Sequence, residues 1–104
     1  MALSNEQKKH FKSIGHHLKP VLIVAENGLT EGVLAELERA LNDHELIKVQ
    51  LRLNERDDRR ALIEELTAAG RCELVQVIGK MAILLRRAKK PNANLSNLKR
   101  FQGF

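Results

Sequence analysis

The spacing of apolar residues along this 104-residue chain switches between a period near four and a period near two, and each switch marks a boundary between elements. Phe11, Ile14 and Leu18 recur at spacings of three and four after Ser4 and Gln7, a pair suited to a capping box. A first helix is therefore predicted over about residues 4–15, with Gly15-His16-His17 as its frayed end. Pro20 gives a stiff approach to the continuous apolar run Val21-Leu22-Ile23-Val24, which reads as a strand buried on both faces. Val33, Leu34, Leu37, Ala40 and Leu41 then mark one face of a second helix, capped by Thr30 and closed by Asp43-His44. From Glu45 to Leu53 the pattern alternates, with Ile47, Val49, Leu51 and Leu53 on one side and Lys48, Gln50 and Arg52 on the other. This predicts a half-exposed strand with a basic outer row. Asn54 to Asp58 forms a polar turn with a capping Asp, and Ala61, Leu62, Leu66 and Ala69 give a third helix its packing stripe, stopped by Gly70. The apolar runs Glu73–Ile78 and Met81–Arg86 flank Gly79-Lys80, a pair suited to a hairpin turn.

The resulting order is α-β-α-β-α-β-β. A strand, crossover helix and strand predict a parallel pair, the final hairpin an antiparallel one, so the fold class is an α/β (α+β sandwich) with a mixed four-stranded sheet packed with helices. The length allows one domain with one core, expected over residues 1–87. Residues 88–104 carry no packing pattern in their first half and read as a basic C-terminal extension, in which Leu95, Leu98 and Phe101 can form a single apolar helical turn. No apolar run approaches the length of a membrane span and no signal-peptide segment follows Met1, so the expected location is cytoplasmic, without a membrane partner. The lone Cys72 sits where a strand begins and is expected to be a half-buried structural thiol.

Charge changes this picture because of where it lies. Residues 1–24 carry a net +3 and residues 80–104 a net +7, whereas the middle of the chain is net −5. Two basic ends around an acidic middle predict a shared positive face aimed at a polyanion. Val24 to Thr30 offers a local site of the same kind. The strand breaks there into a helix whose first N–H groups and positive dipole end suit an anion such as phosphate, with Asn27 and Gly28 able to take positive φ.

Catalysis is not expected. His10, His16, His17 and His44 lack metal-ligand spacing with Cys72, the neighbouring carboxylates Asp57-Asp58 and Glu64-Glu65 fall on exposed helix positions, and neither a Walker loop nor GxGxxG occurs. No cofactor or metal is expected, and a nuclease lacks a convincing carboxylate cluster. With no Trp or Tyr and only Phe11, Phe101 and Phe104, an aromatic stacking platform like that of an RRM is excluded. What remains is recognition of backbone phosphate and shape, with strong salt dependence.

The segments Leu18-Lys19-Pro20-Val21-Leu22-Ile23-Val24, Asn27-Gly28-Leu29-Thr30-Glu31-Gly32-Val33, His44-Glu45-Leu46-Ile47-Lys48-Val49 and Val77-Ile78-Gly79-Lys80, in this order, closely resemble the CRM domain (chloroplast RNA splicing and ribosome maturation). A single stand-alone copy is similar to the bacterial YhbY family, and the resemblance covers about residues 3–87. It implies a fold similar to the C-terminal domain of bacterial translation initiation factor three. It also implies RNA binding, with ribosomal RNA of large-subunit precursors as the partner in ribosome assembly. The family's GxxG loop, thought to meet RNA as the KH-domain loop does, corresponds to Ala25-Glu26-Asn27-Gly28, where Ala25 replaces the first glycine and Glu26 adds a negative charge.

The basic surface is accordingly expected to carry more of the affinity than the loop. The candidate phosphate contacts are Lys8 and Lys12 on the first helix, Lys19 before the first strand, Lys80 in the hairpin, and Arg86, Arg87, Lys89 and Lys90 leading into the extension. Asn27, Gly28 and Thr30 would add loop amides and the helix start. The alternative function is a protein-interaction module that docks a basic ribosomal protein or assembly factor through the acidic middle, above all Glu36 and Glu38.

Overall fold

The computed structural model describes residues 3–101. The Ser4–Gln7 pair does what its chemistry suggests: Ser4 Oγ accepts from the Gln7 N–H at 3.1 Å and Gln7 Oε1 accepts from the Ser4 N–H at 2.9 Å, opening helix α1 at Asn5–His16. Strand β1 follows at Pro20–Val24, helix α2 at Glu31–His44, β2 at Leu46–Leu51, α3 at Arg56–Gly70, β3 at Glu73–Ile78 and β4 at Met81–Leu85. A short helix, α4, occupies Asn97–Arg100. The mixed four-stranded sheet has the order β1-β2-β4-β3. β1 pairs with β2 in parallel, and β4 lies antiparallel to both β2 and β3.

Period-two patterning gives the sheet two buried faces. Leu22, Val24, Ile47, Val49, Leu51, Ala82 and Leu84 turn to one side and pack with Leu37, Leu41, Leu62 and Leu66 of α2 and α3. Leu46, Val75, Ile83 and Leu85 turn to the other and pack with Phe11 and Ile14 of α1 and with Leu98 and Phe101 from the C-terminal segment. The two basic ends of the chain therefore lie on one face, and the helices of the acidic middle on the other.

Several elements depart from the sequence expectation, each for a tertiary reason. β1 is not buried on both faces: it is an edge strand, and Val21 and Ile23 are exposed. β2, like β4, has neighbours on both sides, and Lys48 and Gln50 are half-buried between β1 and β4. Glu45 belongs to the end of α2, with φ of 60°, before the strand starts. Gly15 is no frayed end but a buried helical residue lying against Ile83, whose Cγ2 would stand 3.0 Å from an added Cβ. At the end of α3 the left-handed residue is Arg71, φ 51°, while Gly70 is buried against Leu37, Leu41 and Cys72. No Asp caps α3; its N-cap is Glu55, without a side-chain hydrogen bond, and Asp57 and Asp58 favour the helix dipole from the first turn.

After β4 the chain turns back across the sheet. Residues 89–95 are exposed, but Ser96 and Asn97 are buried. The Glu45 carboxylate accepts from the Ala88 N–H at 2.7 Å and the Ser96 hydroxyl at 2.6 Å. Asn97 Nδ2 donates to the Leu46 carbonyl at 2.6 Å. The expected helical turn thus exists as α4, with Leu98 and Phe101 inward and Leu95 exposed.

Candidate nucleic-acid interface

The 25–28 loop is a tight turn because Gly28 takes φ of 68°, a conformation that costs a glycine little. Its N–H donates to the Ala25 carbonyl at 2.9 Å, and the Thr30 N–H donates to the Gly28 carbonyl at 3.1 Å. Thr30 Oγ1 then caps α2 by accepting from the Val33 N–H at 3.2 Å. The amides of Gly28 and Thr30, expected to face phosphate, are committed inside the loop, so these two residues shape the turn and cap the helix. Asn27 is exposed at the tip.

Parallel strands β1 and β2 end on the same side as the β3–β4 hairpin begins β4, so the loop shares one end of the sheet with Gly79 and Lys80. Gly79 has φ of 55° at the first of two turn residues, the pattern of a type II′ hairpin. Lys80 is exposed, and its ammonium donates to Asn54 Oδ1 at 3.1 Å. Beside it, Glu26, Glu55 and Asp58 line a shallow cleft with Arg52 and Asn54. Three carboxylates against one guanidinium make this cleft unfavourable for phosphate.

Lys19, Arg86, Arg87, Lys89 and Lys90 lie at the opposite end of the sheet, where β1 starts and β4 finishes. The Arg86 side chain, expected to meet phosphate, is instead held within the fold. It donates to both Glu38 carboxylate oxygens at 2.9 and 2.7 Å, to Asn42 Oδ1 at 2.9 Å and to the Gly70 carbonyl at 2.9 Å. Its hydrogen bond holds the Glu38 carboxyl below the ordinary carboxylate range. Glu36, in turn, pairs with Arg39. Both carboxylates nominated for docking a basic protein already hold an intramolecular cation. Arg87 places its guanidinium 5.7 Å from the Phe11 ring centre, while Lys19, Lys89 and Lys90 are exposed.

On α1, Lys8 is half-buried and Lys12 exposed. Lys12 joins Lys9, Ser13, His16 and His17 along the wall of an open groove floored by Gln76 and Ile78 of β3. No carboxylate lines it. Lys9 and His16 lie outside the set of candidate phosphate contacts, although Lys9 belongs to the basic stripe of the first helix, and the spacing of positions 9, 12, 13 and 16 puts them on one helical face. The eleven nominated residues therefore divide among three places, the loop end, the strand-start end and α1; cations line a groove without a carboxylate beside α1, and Lys19 and Arg100 line a second such pocket at the strand-start end.

Cys72 hydrogen-bonds weakly to the Leu66 carbonyl at 3.9 Å, and burial pushes its thiol up to about 11. A thiol so hard to ionise is inert at neutral pH. Among the described residues no three His, Cys, Asp or Glu side chains stand where they could hold a metal ion, and no helix is long and apolar enough to cross a membrane.

Comparison with known proteins agrees with this architecture. The chain is 77% identical over 103 residues to a protein of Pseudomonas aeruginosa described as a probable RNA-binding protein, covering 99% of both. It is 42% identical to an RNA-binding protein of Haemophilus influenzae, covering 89% of this chain and 94% of that one. A hypothetical Staphylococcus aureus protein regarded as a candidate RNA binder has a solution structure that matches with a TM-score of 0.75 at 36% identity, over 86% of this chain and 93% of that one. The CRS1 / YhbY (CRM) domain model matches residues 3–86. The family model spans most of the chain and the relatives match along nearly its whole length, and the chain belongs to the CRS1 / YhbY (CRM) domain family.

Proposed function

We propose that this chain is a non-catalytic RNA-binding protein that holds RNA by its backbone phosphates and acts in the cytoplasm during ribosome assembly, on ribosomal RNA of large-subunit precursors. The observation that carries the reading is the groove beside α1, where Lys9, Lys12 and His16 meet with no carboxylate on the lining. Lysines placed this way attract a polyanion from a distance and position it without reading sequence. The names of the relatives, and the gathering of both basic chain ends on one face of the sheet, support the same reading. Lys12 is the central contact, with Lys8, Lys19, Arg87, Lys89 and Lys90 extending the positive field and Lys80 and Asn27 touching RNA at the loop end. Gly28 and Thr30 support the loop, and Arg86 supports the fold. Residues 1–87 form the binding domain, and residues 88–104 add a basic extension that Glu45 ties to it. No cofactor enters this mechanism.

The test is co-sedimentation of the tagged protein with ribosomal particles from lysate, across a salt series and after RNase. Migration with large-subunit precursors, lost as salt rises and after RNase, is the expected result. Migration that survives RNase would replace RNA with a protein partner. A protein that stays at the top of the gradient at low salt would remove the ribosomal assignment.

A further inference from the structure

Four side chains, one from each strand, form a single row across the α1 face of the sheet. Ile23 is in register with Gln50, Gln50 with Met81, and Met81 with Ile78. All four share a face with Ile83 and Leu85, the residues that α1 and the C-terminal segment bury. Here, however, the face is open: Ile23 is 46% and Ile78 45% exposed, Val21 beside them is 43% exposed, and Gln50 and Met81 are half-buried. Isolated exposed aliphatic residues need no explanation, but a continuous apolar row with one amide at its centre is a binding surface without an occupant. At strand spacing the row extends about 14 Å.

The surroundings state the charge of the missing partner. Ile78 continues directly into the groove walled by Lys9, Lys12 and His16. Lys48 precedes Gln50 on the same face of β2. Glu73, the carboxylate on this face of β3, pairs with Leu85 at the far end of the strand. The acidic cleft of Glu26, Glu55 and Asp58 lies past the ends of β1 and β2, so the cations that flank this floor are those on the α1 side, and an apolar floor with cations along that side fits a ligand with flat apolar faces and a charged backbone. Unpaired nucleotides have both. A duplex keeps its base faces stacked inside and can offer this floor only phosphate and sugar.

Resting on the RNA-binding reading above, we infer that the row Ile23–Gln50–Met81–Ile78 seats the unpaired bases of a single-stranded RNA segment whose phosphates run along Lys9 and Lys12 of α1. The aliphatic side chains supply the non-polar contact that aromatic rings supply in stacking platforms, and the row has room for two or three bases, as on an RRM sheet. Gln50 offers both a donor and an acceptor to a base edge.

The experiment measures fluorescence anisotropy of a labelled, unstructured A/U oligoribonucleotide and of an RNA duplex of equal length against the full chain. The single strand should bind more tightly. The double variant Ile23→Ser/Ile78→Ser, changed at two solvent-facing positions, should lose about tenfold in single-strand affinity and little for the duplex, with the salt slope unchanged. Lys9→Glu/Lys12→Glu should weaken both and flatten the slope. On the wild-type chain, 4-thiouridine cross-linking should label the tryptic peptides Cys72–Lys80 and Met81–Arg86, a readout independent of any variant's folding. Equal binding of duplex and single strand, with the serine variant unaffected and cross-links elsewhere, overturns the base-seating row while leaving RNA binding intact. A change in the chain's sedimenting mass in the serine variant, without a change in affinity, assigns the row to a second copy and also overturns it. Failure of the wild type to bind either RNA overturns this inference together with the reading on which it rests.

Discussion

At the scale of single residues, two side chains have roles that differ from what their type suggests. Arg86 is a surface-type residue that closes the space between α2 and the end of α3, linking Glu38, Asn42 and the Gly70 carbonyl. Arg86→Met should lower stability by about 1–2 kcal/mol, mainly through the carbonyl and amide partners it leaves behind, since the Glu38 carboxylate itself is largely solvated. The pH dependence has a definite sign. Glu38 titrates lower in the folded chain than in the unfolded one. Its contribution is therefore complete above the ordinary carboxylate pKa of about 4.3 and is lost as pH falls through the depressed folded value. The difference in melting temperature between wild type and Arg86→Met should be widest near neutrality and shrink in acid. Glu45 is 2% exposed and holds two donors of the C-terminal segment. Glu45→Ala leaves both without an acceptor and should cost about 2–3 kcal/mol, seen in denaturant unfolding, whereas Glu45→Gln keeps one acceptor and should cost less.

At the scale of elements, α1 has two opposed faces with separate tasks. Phe11, Ile14 and Gly15 face the sheet, and Gly15 lets the helix backbone approach Ile83. Alanine is the better helix former by about 1 kcal/mol, yet Gly15→Ala should destabilise by a net ~1 kcal/mol because its methyl meets Ile83. Trimming the obstacle reverses this. The double variant Gly15→Ala/Ile83→Val should melt higher than the sum of the single variants predicts, which a double-mutant cycle detects. The opposite face of α1 carries Lys9, Lys12 and His16. If two lysines each neutralise one phosphate of single-stranded RNA, Lys9→Glu/Lys12→Glu should reduce the slope of log K against log salt by about 1.4. The melting temperature should stay unchanged, because neither lysine is buried.

At the scale of the whole molecule, the sheet sorts the chain by charge. α1 and the C-terminal segment meet over Phe11, Leu98 and Phe101 on one face, and α2 with α3 cover the other. The extension beyond residue 87 therefore contributes to the fold as well as to the positive field. A 1–87 truncation should fold but lose about 2 kcal/mol, from the uncovered apolar contacts and the Glu45 bonds. For a domain of this size that lowers the melting temperature by about 8–16 °C. Its RNA affinity should fall as well, because Lys89, Lys90, Lys99 and Arg100 are removed from the positive surface while Arg87 stays.

Features whose causes act over a few residues are legible in the chain before it folds. The Ser4 capping box, the Thr30 cap, the positive φ at Gly28 and Gly79, and the period of each apolar run together set the element order and the antiparallel hairpin. They also predicted the parallel β1–β2 pair, because a strand, helix and strand in succession admit few arrangements. Which strand became an edge, and which arginine was drawn into the fold, depended on packing between distant segments. Arg86 and Glu38 are 48 residues apart, and Glu45 and Ser96 are 51 apart. Contacts at such separations leave no periodic trace, since they depend on where the whole chain carries each side chain. The same holds for the open row on the sheet: Ile23 and Ile78 read as core residues in sequence, and they are exposed because α1 covers one part of that face and leaves the other uncovered.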